Sequence, residues 1–541
     1  MPENVNQQKV SDDDPTLGVS APSAEKRARS SIAASLPSTQ TLGINQWYLS
    51  DEFTDAYCKA FTNTDLEEPL FSIKHEQNDC EGIIISSPFH TGKLRSILPK
   101  EFLYGLKKEL SELNWHERLN DLYWFHQTDD LALNGKQHIK ALRDYLSGEE
   151  FVGFLERITG TELARGYLDL AAQRYKKGNH LLCHDDDVHR GKLTRKIAYI
   201  IYLVDEEWSD NDGGALGLFD SDKSRYPTKV VSRILPEFNS IGFFLTGMVS
   251  YHTVEEVTVS DPERERWSVT GWFYGPATSD NTSSDENNIP PLPSSVLPQI
   301  MPLDEGYLAS EDQTEWAKWI SSDYLSRTVQ CQIQDTFLEQ SSVELRNFLR
   351  ADVYSAVVSE LDQSFWDLAQ LRGPAHLRKY LETQPTSGSS VVDSLSLFFK
   401  SASFGRFLVA LTSLEFAGAS QQIRKFEHGH YTLIHDQAIE PAGLDVVLSI
   451  QNKAPDGEDD NNFEWDETWG GAIHYIADKD ELLRVSPEKN SLSLVLRDEG
   501  TLRFVKYLNH MAPCERQDIS MVFIEKPSSN NGLAEESDVS E

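Results

Sequence analysis

Hydrophobic positions repeat with two different periods in the first half of the chain. Over residues 46–160 they recur at helical spacing, so this region is predicted to form mainly packed helices. After residue 164 the pattern changes to short apolar runs separated by Gly, Asp, Asn and Pro, which are typical of strands. The predicted strands are 167–170, 197–204, 230–234, 241–245 and 267–273. Evenly spaced short strands of this kind predict an antiparallel barrel or jelly roll.

The same succession of helical and strand-like patterns occurs a second time. Residues 277–302, rich in Ser, Asn, Asp and Pro, are predicted to be a linker between a first block, 45–276, and a second, 303–526. The polar ends, 1–44 and 527–541, hold little that could be buried and are predicted to be disordered. The predicted fold class is therefore α+β, with two tandem double-stranded β-helix (jelly-roll) domains and packed helices.

Several motifs of the first block return in the second, which indicates an internal duplication. The run Y-K-K-G-N-H-L-L-C-H-D-D at 175–186 is echoed by F-E-H-G-H-Y-T-L-I-H-D-Q at 426–437. Shorter echoes are G-G-A-L at 213–216 with G-G-A-I at 470–473, and R-W-S-V-T-G-W-F at 266–273 with the looser R-Q-D-I-S-M-V-F at 516–523.

Length, charge and cysteine content narrow the class of protein. At 541 residues the chain can bury two or three sizeable cores, and it contains no apolar run of membrane-spanning length. The polar N-terminus lacks the core of a signal peptide, and five widely spaced cysteines without a CxxC pair fit reduced thiols, so a nuclear and cytoplasmic location is expected. The formal net charge of −36 disfavours direct nucleic-acid binding and favours basic partners, although it also serves solubility alone.

Two histidines and a carboxylate form the candidate metal site. His184 and Asp186 are two residues apart, so in an extended strand they project from one face and can bind one metal ion, while Asp185 points away. His252 stands at the end of the apolar run F-F-L-T-G-M-V-S-Y-H, which is interpreted as a buried strand. Two histidines and one carboxylate leave three coordination positions open, which suits Fe(II) that must hold a chelating co-substrate and O₂.

Arg266 indicates which co-substrate such an iron site would use. It lies in a strand of alternating apolar residues, so its guanidinium can point into the barrel, where it needs an anion. The distal carboxylate of 2-oxoglutarate supplies that anion while the keto-acid end chelates iron. Tyr202 and Ser268 are placed to donate hydroxyls to the same carboxylate, and Tyr175 to contact the co-substrate from the strand leading to His184.

Each of these assignments has an alternative. A lone strand tyrosine is more often a core aromatic whose hydroxyl reaches the rim. Arg264 is a rival for Arg266, although its neighbours Glu263 and Glu265 favour a surface ion pair. The HxD pattern also occurs by chance, so the site is predicted only by its combination with a distal His and a following Arg on strands.

The second block differs from the first at the carboxylate position. Gln437 stands where Asp186 would, and a neutral amide is a poor ligand for Fe(II), so iron is expected in the first block only. The two histidines are interpreted as a relic site that now serves packing. They are His435, the echo of His184, and His510, taken as the counterpart of His252.

The motifs together resemble a known family. L-L-C-H-D-D, R-K-I-A-Y-I-I-Y-L-V, G-G-A-L-x-L, Y-H-x-V-x-E-V and R-W-S-V-T-G-W-F-Y-G-P are similar to the prolyl hydroxylases that act on the small-subunit ribosomal protein of the decoding centre. G-H-Y-T-L-I-H-D and N-S-L-S-L-V-L-R-D extend the likeness into the second block, so that it covers roughly residues 45–526. The resemblance implies that His184, Asp186 and His252 bind iron and that Tyr202 and Arg266 bind 2-oxoglutarate.

The resemblance also implies a fold and a function. It implies an active N-terminal jelly roll and an inactive C-terminal one, with Fe(II), 2-oxoglutarate and O₂, and L-ascorbate as the reductant. The reaction would be hydroxylation at C3 of a proline, or at C3 and C4, in a basic small-subunit ribosomal protein, with an effect on translation accuracy or termination. The acidic surface is compatible with capture of such a substrate. The C-terminal domain would then serve substrate docking or bind a regulatory protein.

Three other functions stay open at this point. An oxygenase of nucleic acid would keep the triad but should carry a basic groove, against which the net charge speaks. A metal-binding storage cupin would not need Arg266. An oxygen-sensing regulator that binds a transcription factor and controls its turnover would resemble some fungal relatives, and in it binding by one domain would matter as well as catalysis.

Overall fold

Each half of the described chain opens with helices and continues with strands. The computed structural model describes residues 42–63, 70–277, 299–304, 308–361, 363–383, 390–434, 441–450, 464–478 and 480–526. Within these ranges large antiparallel sheets carry helices, which confirms the predicted α+β fold class.

The helices bury apolar stripes against the sheets or against one another. In the helix Glu149–Thr159, for example, Phe154, Leu155 and Ile158 follow helical spacing and are buried. The helix ends at Gly160, whose φ of 70° is the left-handed conformation that favours glycine. The helices are α1 (Asp51–Thr62), α2 (Lys100–Ser111), α3 (Gln137–Leu146), α4 (Glu149–Thr159), α5 (Asp312–Trp319), α6 (Arg327–Gln340), α7 (Ala351–Glu360), α8 (Gln363–Trp366), α9 (Val391–Phe399) and α10 (Ala402–Thr412).

The strands of the first half pair antiparallel into one continuous sheet that wraps around the candidate site. They are β1 (Leu70–Lys74), β2 (Glu81–Ile85), β3 (Thr91–Arg95), β4 (His116–Leu119), β5 (Tyr123–Gln127), β6 (Ala171–Tyr175), β7 (His180–His184), β8 (His189–Arg190), β9 (Leu193–Tyr202), β10 (Leu216–Ser221), β11 (Pro227–Ile234), β12 (Ser240–Leu245), β13 (His252–Val254) and β14 (Arg266–Pro276).

The strands of the second half form a larger and a smaller antiparallel sheet. They are β15 (Met301–Pro302), β16 (Ser342–Arg346), β17 (Gln370–Arg372), β18 (Arg378–Thr383), β19 (Phe416–Phe426), β20 (Tyr431–Thr432), β21 (Gly443–Ile450), β22 (Ile473–Ala477), β23 (Asp480–Val485), β24 (Ser491–Arg497), β25 (Thr501–Val505) and β26 (Arg516–Glu525). We call β1–β14 with α1–α4 the first roll, and β15–β26 with α5–α10 the second roll.

The two rolls share one order of strands. The first roll runs β3-β12-β9-β14-β6-β5-β7-β13-β10-β11, with β1 and β2 beyond β3. The second roll runs β16-β24-β21-β26-β19-β18, with β20 paired to β18 and with β25-β22-β23 as the smaller sheet. Strand for strand the two orders correspond, as expected of a duplicated jelly roll.

Strand pairing in the first roll brings the candidate residues to the inner wall. His252 at the start of β13 lies opposite His184 at the end of β7. On the neighbouring strands, Arg266 of β14 lies opposite Tyr175 of β6. Ser268 lies opposite Tyr202 of β9.

Two expectations drawn from the hydrophobic pattern are wrong, and one is incomplete. The region 46–160 contains the helices α1–α4 as expected, but the strands β1–β5 lie within it as well; β1 and β4 expose most of their residues, so their alternation is weak. The segment 167–170 is not a strand, and β6 begins only at Ala171. His252 does not end the strand β12, because a turn closed by a hydrogen bond from Ser250 N to Gly247 O intervenes and His252 begins β13.

The predicted linker and tails fall largely outside the described residues. This applies to 1–41, to 278–298 and to 527–541. The last two residues of the predicted linker, Met301–Pro302, form β15 and pair with β19 of the second roll. No helix among the described residues is long and apolar enough to cross a membrane.

The two rolls are in direct contact. Leu182 of the first roll is buried with Tyr431, Leu433 and Tyr507 of the second. The ring of His180 stacks on that of Tyr507, with 4.0 Å between the centroids. The contact surface therefore adjoins β7, the strand that ends at the metal-ligand candidate His184.

Candidate metal and co-substrate site

The three predicted metal ligands meet in the first roll. His252 Nε2 lies 3.3 Å from Asp186 Oδ2, and His184 Nε2 lies 3.8 Å from Asp186 Oδ1. The three ligand atoms lie within 4.8 Å of one another, close enough for one ion to contact all of them. Among the described residues this is the one such cluster of His, Cys, Asp and Glu. Two His and one carboxylate on one side of an ion form the facial triad typical of non-haem Fe(II) oxygenases.

Both histidines are held with the same ring nitrogen toward the centre. Nδ1 of His184 lies 2.8 Å from the carbonyl oxygen of Leu182, and Nδ1 of His252 lies 2.8 Å from that of Ser250. A carbonyl accepts only, so each Nδ1 carries the proton and donates it, and each Nε2 keeps its lone pair for the metal.

The electrostatics of the triad match a divalent cation. Burial alone would raise the pKa of Asp186, but His252 and His184 outweigh it and hold that pKa well below its ordinary value. Burial, assisted by His252, lowers the pKa of His184 to about 4. Burial would also lower the pKa of His252, but the Asp186 carboxylate raises it above its ordinary value. A metal site needs an ionised carboxylate and neutral imidazoles, and the lowered pKa values of Asp186 and His184 favour those forms.

Arg266 is enclosed by aromatic rings in the interior of the first roll. Its side chain is 1% exposed, and its Cζ lies 5.1 Å from the ring centroid of Tyr175 and 5.2 Å from that of Tyr202. Nε donates to the carbonyl oxygen of Gly214 at 2.7 Å, and Nη1 lies 3.4 Å from Ser268 Oγ. At Gly214 φ is +70°, and a Cβ there would lie 2.6 Å from Arg266 Cδ, so glycine is required for the arginine to fit.

Two polar atoms of this enclosure have no hydrogen-bond partner. They are Arg266 Nη2 and Tyr202 Oη, and both are buried donors. The hydroxyl of Tyr175, by contrast, donates to Gln173 Oε1 at 3.2 Å. An unpartnered buried donor costs about 1–3 kcal/mol, which a carboxylate ligand would remove. The residues present therefore fit Fe(II) at the triad and the distal carboxylate of 2-oxoglutarate at Arg266 and Tyr202.

Arg264, the rival for Arg266, lies elsewhere. Its Nη1 lies 2.7 Å from Asp212 Oδ1 and its Nε lies 3.3 Å from Asp205 Oδ2. Its Cζ also lies 5.3 Å from the ring centroid of Trp208. Arg264 forms an ion pair, as predicted, but with these residues rather than with Glu263 or Glu265.

Two further residues adjoin the triad and were missed in the sequence. The Arg195 guanidinium stacks on the Trp272 indole, with its Cζ 3.6 Å from the ring centroid, and Arg195 Nη1 lies 3.9 Å from Asp186 Oδ1. Arg195 Nε and Trp272 Nε1 are buried donors without a partner. Trp272 could have been found, because it lies six residues after Arg266 and so shares its strand face. Arg195 could not have been found, because a register shift in the pairing of β9 with β14 changes the face of the sheet on which its side chain lies.

The interpretation of His510 as the counterpart of His252 is wrong. In the first roll Leu218 of β10 lies opposite His252. Tyr475 of β22 follows the repeated Gly-Gly pair at the same distance as Leu218 does, and it lies opposite Arg503. The backbone hydrogen bonds three residues further along give the same correspondence. Glu255, three residues after His252, donates its N–H to Ala215 O, and Lys506, three residues after Arg503, donates its N–H to Ala472 O. Arg503 therefore takes the place of the ligand histidine.

The second roll fills its metal position with charged side chains. Arg503 Nη1 lies 3.0 Å from Asp445 Oδ2, which also lies 3.0 Å from Arg497 Nε. A guanidinium is no metal ligand, since it has no lone pair to donate. His510 instead contacts the first roll, with its Nδ1 2.5 Å from Glu256 Oε1. His435 and Gln437 lie outside the described residues.

The co-substrate position of the second roll is also filled. Arg516 contacts Gly471 O, as Arg266 contacts Gly214 O, but its Nη2 lies 2.6 Å from Asp518 Oδ2. Arg424 Nε lies 2.8 Å from the other oxygen of Asp518. Burial would raise the pKa of Asp518, but the two arginines outweigh it and lower it. An internal carboxylate thus stands where the first roll leaves room for a ligand.

Comparisons with known protein families agree with this geometry. The profile of the 2OG-Fe(II) oxygenase superfamily matches residues 170–274, the range that contains the triad and Arg266. A profile described as "oxoglutarate and iron-dependent oxygenase degradation C-term" matches residues 311–531. Fold and site together define an oxygenase of the Fe(II)- and 2-oxoglutarate-dependent class.

Similar full-length proteins narrow the class further. The chain is 34% identical to the prolyl 3-hydroxylase OGFOD1 of Xenopus laevis over 462 residues, which cover 79% of this chain and 84% of that protein. It is 30% identical to the mouse prolyl 3-hydroxylase OGFOD1 over 534 residues, covering 85% and 92%. It is 28% identical to the prolyl 3,4-dihydroxylase OGFOD1 of Ostreococcus tauri over 503 residues, covering 82% and 96%.

The chain belongs to the family of these prolyl hydroxylases within the 2OG-Fe(II) oxygenase superfamily, which confirms the resemblance seen in its motifs. Membership of this superfamily implies Fe(II) and 2-oxoglutarate as cofactors. The residues that would hold them are those described above.

Proposed function

We propose that this chain is a prolyl 3-hydroxylase that uses Fe(II), 2-oxoglutarate and O₂ to oxidise a proline in a basic small-subunit ribosomal protein. The observation that carries the proposal is the pair of buried, unpartnered donors, Arg266 Nη2 and Tyr202 Oη, in the barrel that brings His184, Asp186 and His252 together. A metal-storage protein would need only the triad, so it would have no use for the buried cation.

Each residue of the site has a distinct role in this proposal. Bound Fe(II) supplies the oxidising chemistry, which couples decarboxylation of 2-oxoglutarate by O₂ to hydroxylation of a C–H bond. His184, Asp186 and His252 hold the ion, and Arg266 binds the distal carboxylate through a charge-assisted pair. Tyr202 adds an O–H donor from a wall that is otherwise apolar and keeps water away.

Arg195 and Trp272 suit the substrate side of the metal. Arg195 offers an unpartnered N–H beside Asp186, and Trp272, on which Arg195 stacks, offers a second. Proline has no backbone N–H of its own, so a prolyl peptide offers chiefly carbonyl oxygens for recognition. We assign the two donors to the carbonyl groups that flank the target proline.

The substrate is proposed from charge and from the relatives. The relatives are named as prolyl hydroxylases, which implies a protein substrate. The net charge of −36 would attract a protein rich in Lys and Arg and would repel nucleic acid. We further propose that L-ascorbate acts as reductant and that the protein works in nucleus and cytoplasm.

Mass spectrometry of candidate substrates tests the proposed function. Full-length protein, purified without O₂ and loaded with Fe(II), is incubated with unassembled small-subunit ribosomal proteins, 2-oxoglutarate and air. One added oxygen on a prolyl peptide is the expected result, and two would identify the 3,4-dihydroxylation named in the Ostreococcus relative. Succinate release without oxygen on any prolyl peptide would contradict the substrate and leave the oxygenase chemistry standing.

A matched pair of variants controls this experiment. His184→Ala removes a predicted ligand and should abolish hydroxylation. His189→Ala removes an exposed histidine five residues further on and should leave it unchanged. Equal activity of the two variants would contradict the metal site.

A second candidate function is control of the turnover of a transcription factor. It is favoured by the match of residues 311–531 to a profile whose description includes degradation. In this case binding through the second roll would suffice, so His184→Ala would keep the regulatory effect. Loss of the effect in His184→Ala would assign it to hydroxylation instead.

A further inference from the structure

A short segment of the second roll reaches the metal site of the first. We call residues 373–376, which precede β18, the clamp segment. Ala375 is buried together with Cys183 and Phe219 of the first roll, and its backbone N donates to Pro227 O at 3.4 Å. Tyr431 of the second roll donates its hydroxyl to Ala375 O at 2.5 Å. The segment is thus fixed to both rolls.

The next residue of the clamp segment is held between two aromatic rings of the first roll. The His376 ring lies 5.6 Å from that of Tyr226, with 9° between the planes, and 5.5 Å from that of Tyr251, with 29° between the planes. Such offset-stacked rings attract each other beyond the effect of the area they bury. The stack therefore fixes Tyr251 relative to the second roll.

Both contacts lie next to a predicted metal ligand. Cys183 directly precedes His184, and Tyr251 directly precedes His252. Tyr251 O also accepts from Phe219 N at 3.0 Å, so the two contacts are joined through one strand. The clamp segment thus touches the neighbour of each ligand histidine.

The turn before His252 exposes two of its side chains. Met248 is 51% exposed and Val249 is 42% exposed, although the Gly247–Ser250 turn is closed by its own hydrogen bonds. An exposed turn does not by itself define the position of the residue that follows it. Tyr251 is the point at which this loop is packed against the second roll.

We propose that the clamp segment makes metal binding in the first roll depend on the second roll, with His376 as the positioning residue. The inference rests on the proposed metal site. Outer contacts that orient metal ligands typically change metal affinity by about 10- to 100-fold when they are lost. The second roll, which lacks a metal site of its own at Arg503, would then serve the site of the first.

Binding of Mn(II) to the full-length protein tests the inference without any turnover. His376→Ala removes the stacked ring and should raise the dissociation constant of Mn(II) by on the order of 10-fold or more. His376→Phe keeps a stacked ring and should stay within about 3-fold of the unaltered protein. With Mn(II) saturating, 2-oxoglutarate should bind all these proteins alike, because the contacts of the clamp segment lie at the neighbours of the metal ligands, Cys183 and Tyr251.

A second stacked histidine of the same roll provides the control. The His474 ring stacks on Phe504 at 4.9 Å, within the second roll. His474→Ala should therefore lower the thermal midpoint about as much as His376→Ala while leaving Mn(II) binding unchanged. If His376→Ala does not fold, Tyr226→Leu removes the other side of the stack and is judged by the same criterion.

The outcomes separate this inference from the proposed function. Unchanged Mn(II) binding in His376→Ala, or equal weakening in His474→Ala, would overturn the role of the clamp segment. Weakening in His376→Phe as large as in His376→Ala would overturn the stack as its cause. Mn(II) binding that survives His184→Ala would overturn the proposed metal site itself.

Discussion

At the scale of single residues, the unsatisfied donors of the first roll are its most informative feature. Arg266 Nη2 and Tyr202 Oη are buried without partners, although most buried polar groups in proteins are hydrogen-bonded. Their cost, about 1–3 kcal/mol each, is tolerated where a ligand completes the set. The equivalent arginine of the second roll, Arg516, is completed by a carboxylate of the chain itself.

The first prediction concerns Arg266. Arg266→Lys keeps a positive charge but loses the planar fork that matches a carboxylate. Losing one charge-assisted hydrogen bond of about 1.5–3 kcal/mol weakens 2-oxoglutarate binding by roughly 10- to 100-fold, with Mn(II) binding unchanged. Isothermal titration of the Mn(II)-loaded protein measures this. Arg264→Lys is the control, and an equal loss in it would contradict the assignment of the anion to Arg266.

The residues of the site were unequally predictable. His184, Asp186 and Arg266 lie on strands whose alternation is visible in the sequence, so the faces they occupy could be inferred. Arg195 was not predictable, because its direction depends on an irregularity in strand pairing rather than on its neighbours in sequence. The alternation of β14 predicts that Trp272 shares a face with Arg266, but a tryptophan in a strand is usually an ordinary core residue, so its place in the site was not recognised.

At the scale of elements, β14 and β26 are the most useful pair, because they differ in the residue that faces the buried arginine of each strand. Ser268 follows Arg266 by two residues, and Asp518 follows Arg516 by two. Both are buried, and both face the preceding arginine. The carboxylate in β26 neutralises its arginine, while the hydroxyl in β14 leaves the charge for a ligand.

The second prediction transfers this difference to the first roll. Ser268→Asp should supply Arg266 with an internal carboxylate and reduce 2-oxoglutarate affinity by at least about 10-fold, while Mn(II) binding persists. Ser268→Asn has nearly the same size without the charge and should retain more affinity. Titration of both variants with 2-oxoglutarate decides this, and equal losses would show that size rather than charge is responsible.

The converse change gives the third prediction. Asp518→Asn leaves the buried Arg424 and Arg516 without their shared carboxylate, and breaking a buried ion pair costs about 3–5 kcal/mol. Urea unfolding at neutral pH should show a loss of this order. Asp480→Asn, at an exposed strand end of the same roll, should change stability little. A loss for Asp518→Asn no larger than for Asp480→Asn would contradict the account.

Strand register explains why only some of the corresponding residues of the two rolls could be identified from the sequence. The repeated Gly-Gly-Ala motifs locate β10 and β22 correctly, since a shared backbone turn is a local feature. Which residue of the second roll corresponds to His252 depends on which residue of β25 lies opposite β22, and this pairing cannot be recognised from the local sequence. His510 shares its residue type with the ligand and therefore attracted the comparison, although Arg503 occupies the position.

The exposure of short strands explains why no strands were predicted within residues 46–160. α2 has buried residues at helical spacing, and its pattern dominates the region around it. All four residues of β4 are exposed, so the strand has no apolar side to reveal it. It pairs with β5 at the margin of the sheet, where pairing is imposed by the neighbouring strand rather than by burial.

At the scale of the whole molecule, the contact between the rolls joins the roll that holds the candidate metal site to a roll whose corresponding described positions are occupied by charged side chains. Glu256 of the first roll accepts hydrogen bonds from Tyr507 Oη at 3.2 Å and from His510 N at 3.1 Å. His180 stacks on Tyr507 beside them and is 4% exposed. A buried histidine in this contact links the stability of the molecule to pH.

The fourth prediction is that the metal-free protein loses stability on mild acidification, in part through His180. Burial lowers the pKa of His180 to about 4, against an ordinary value of 6.5. Above pH 6.5 neither the folded nor the unfolded state is protonated there, so the contribution is complete. As pH falls from 6.5 toward 4 the unfolded state alone takes up a proton, and stability falls by up to about 3 kcal/mol. His180→Phe keeps a ring against Tyr507 and removes the titration. Urea unfolding across this pH range should therefore give a shallower slope for His180→Phe, whereas equal slopes would show that the buried ring is not the group that responds.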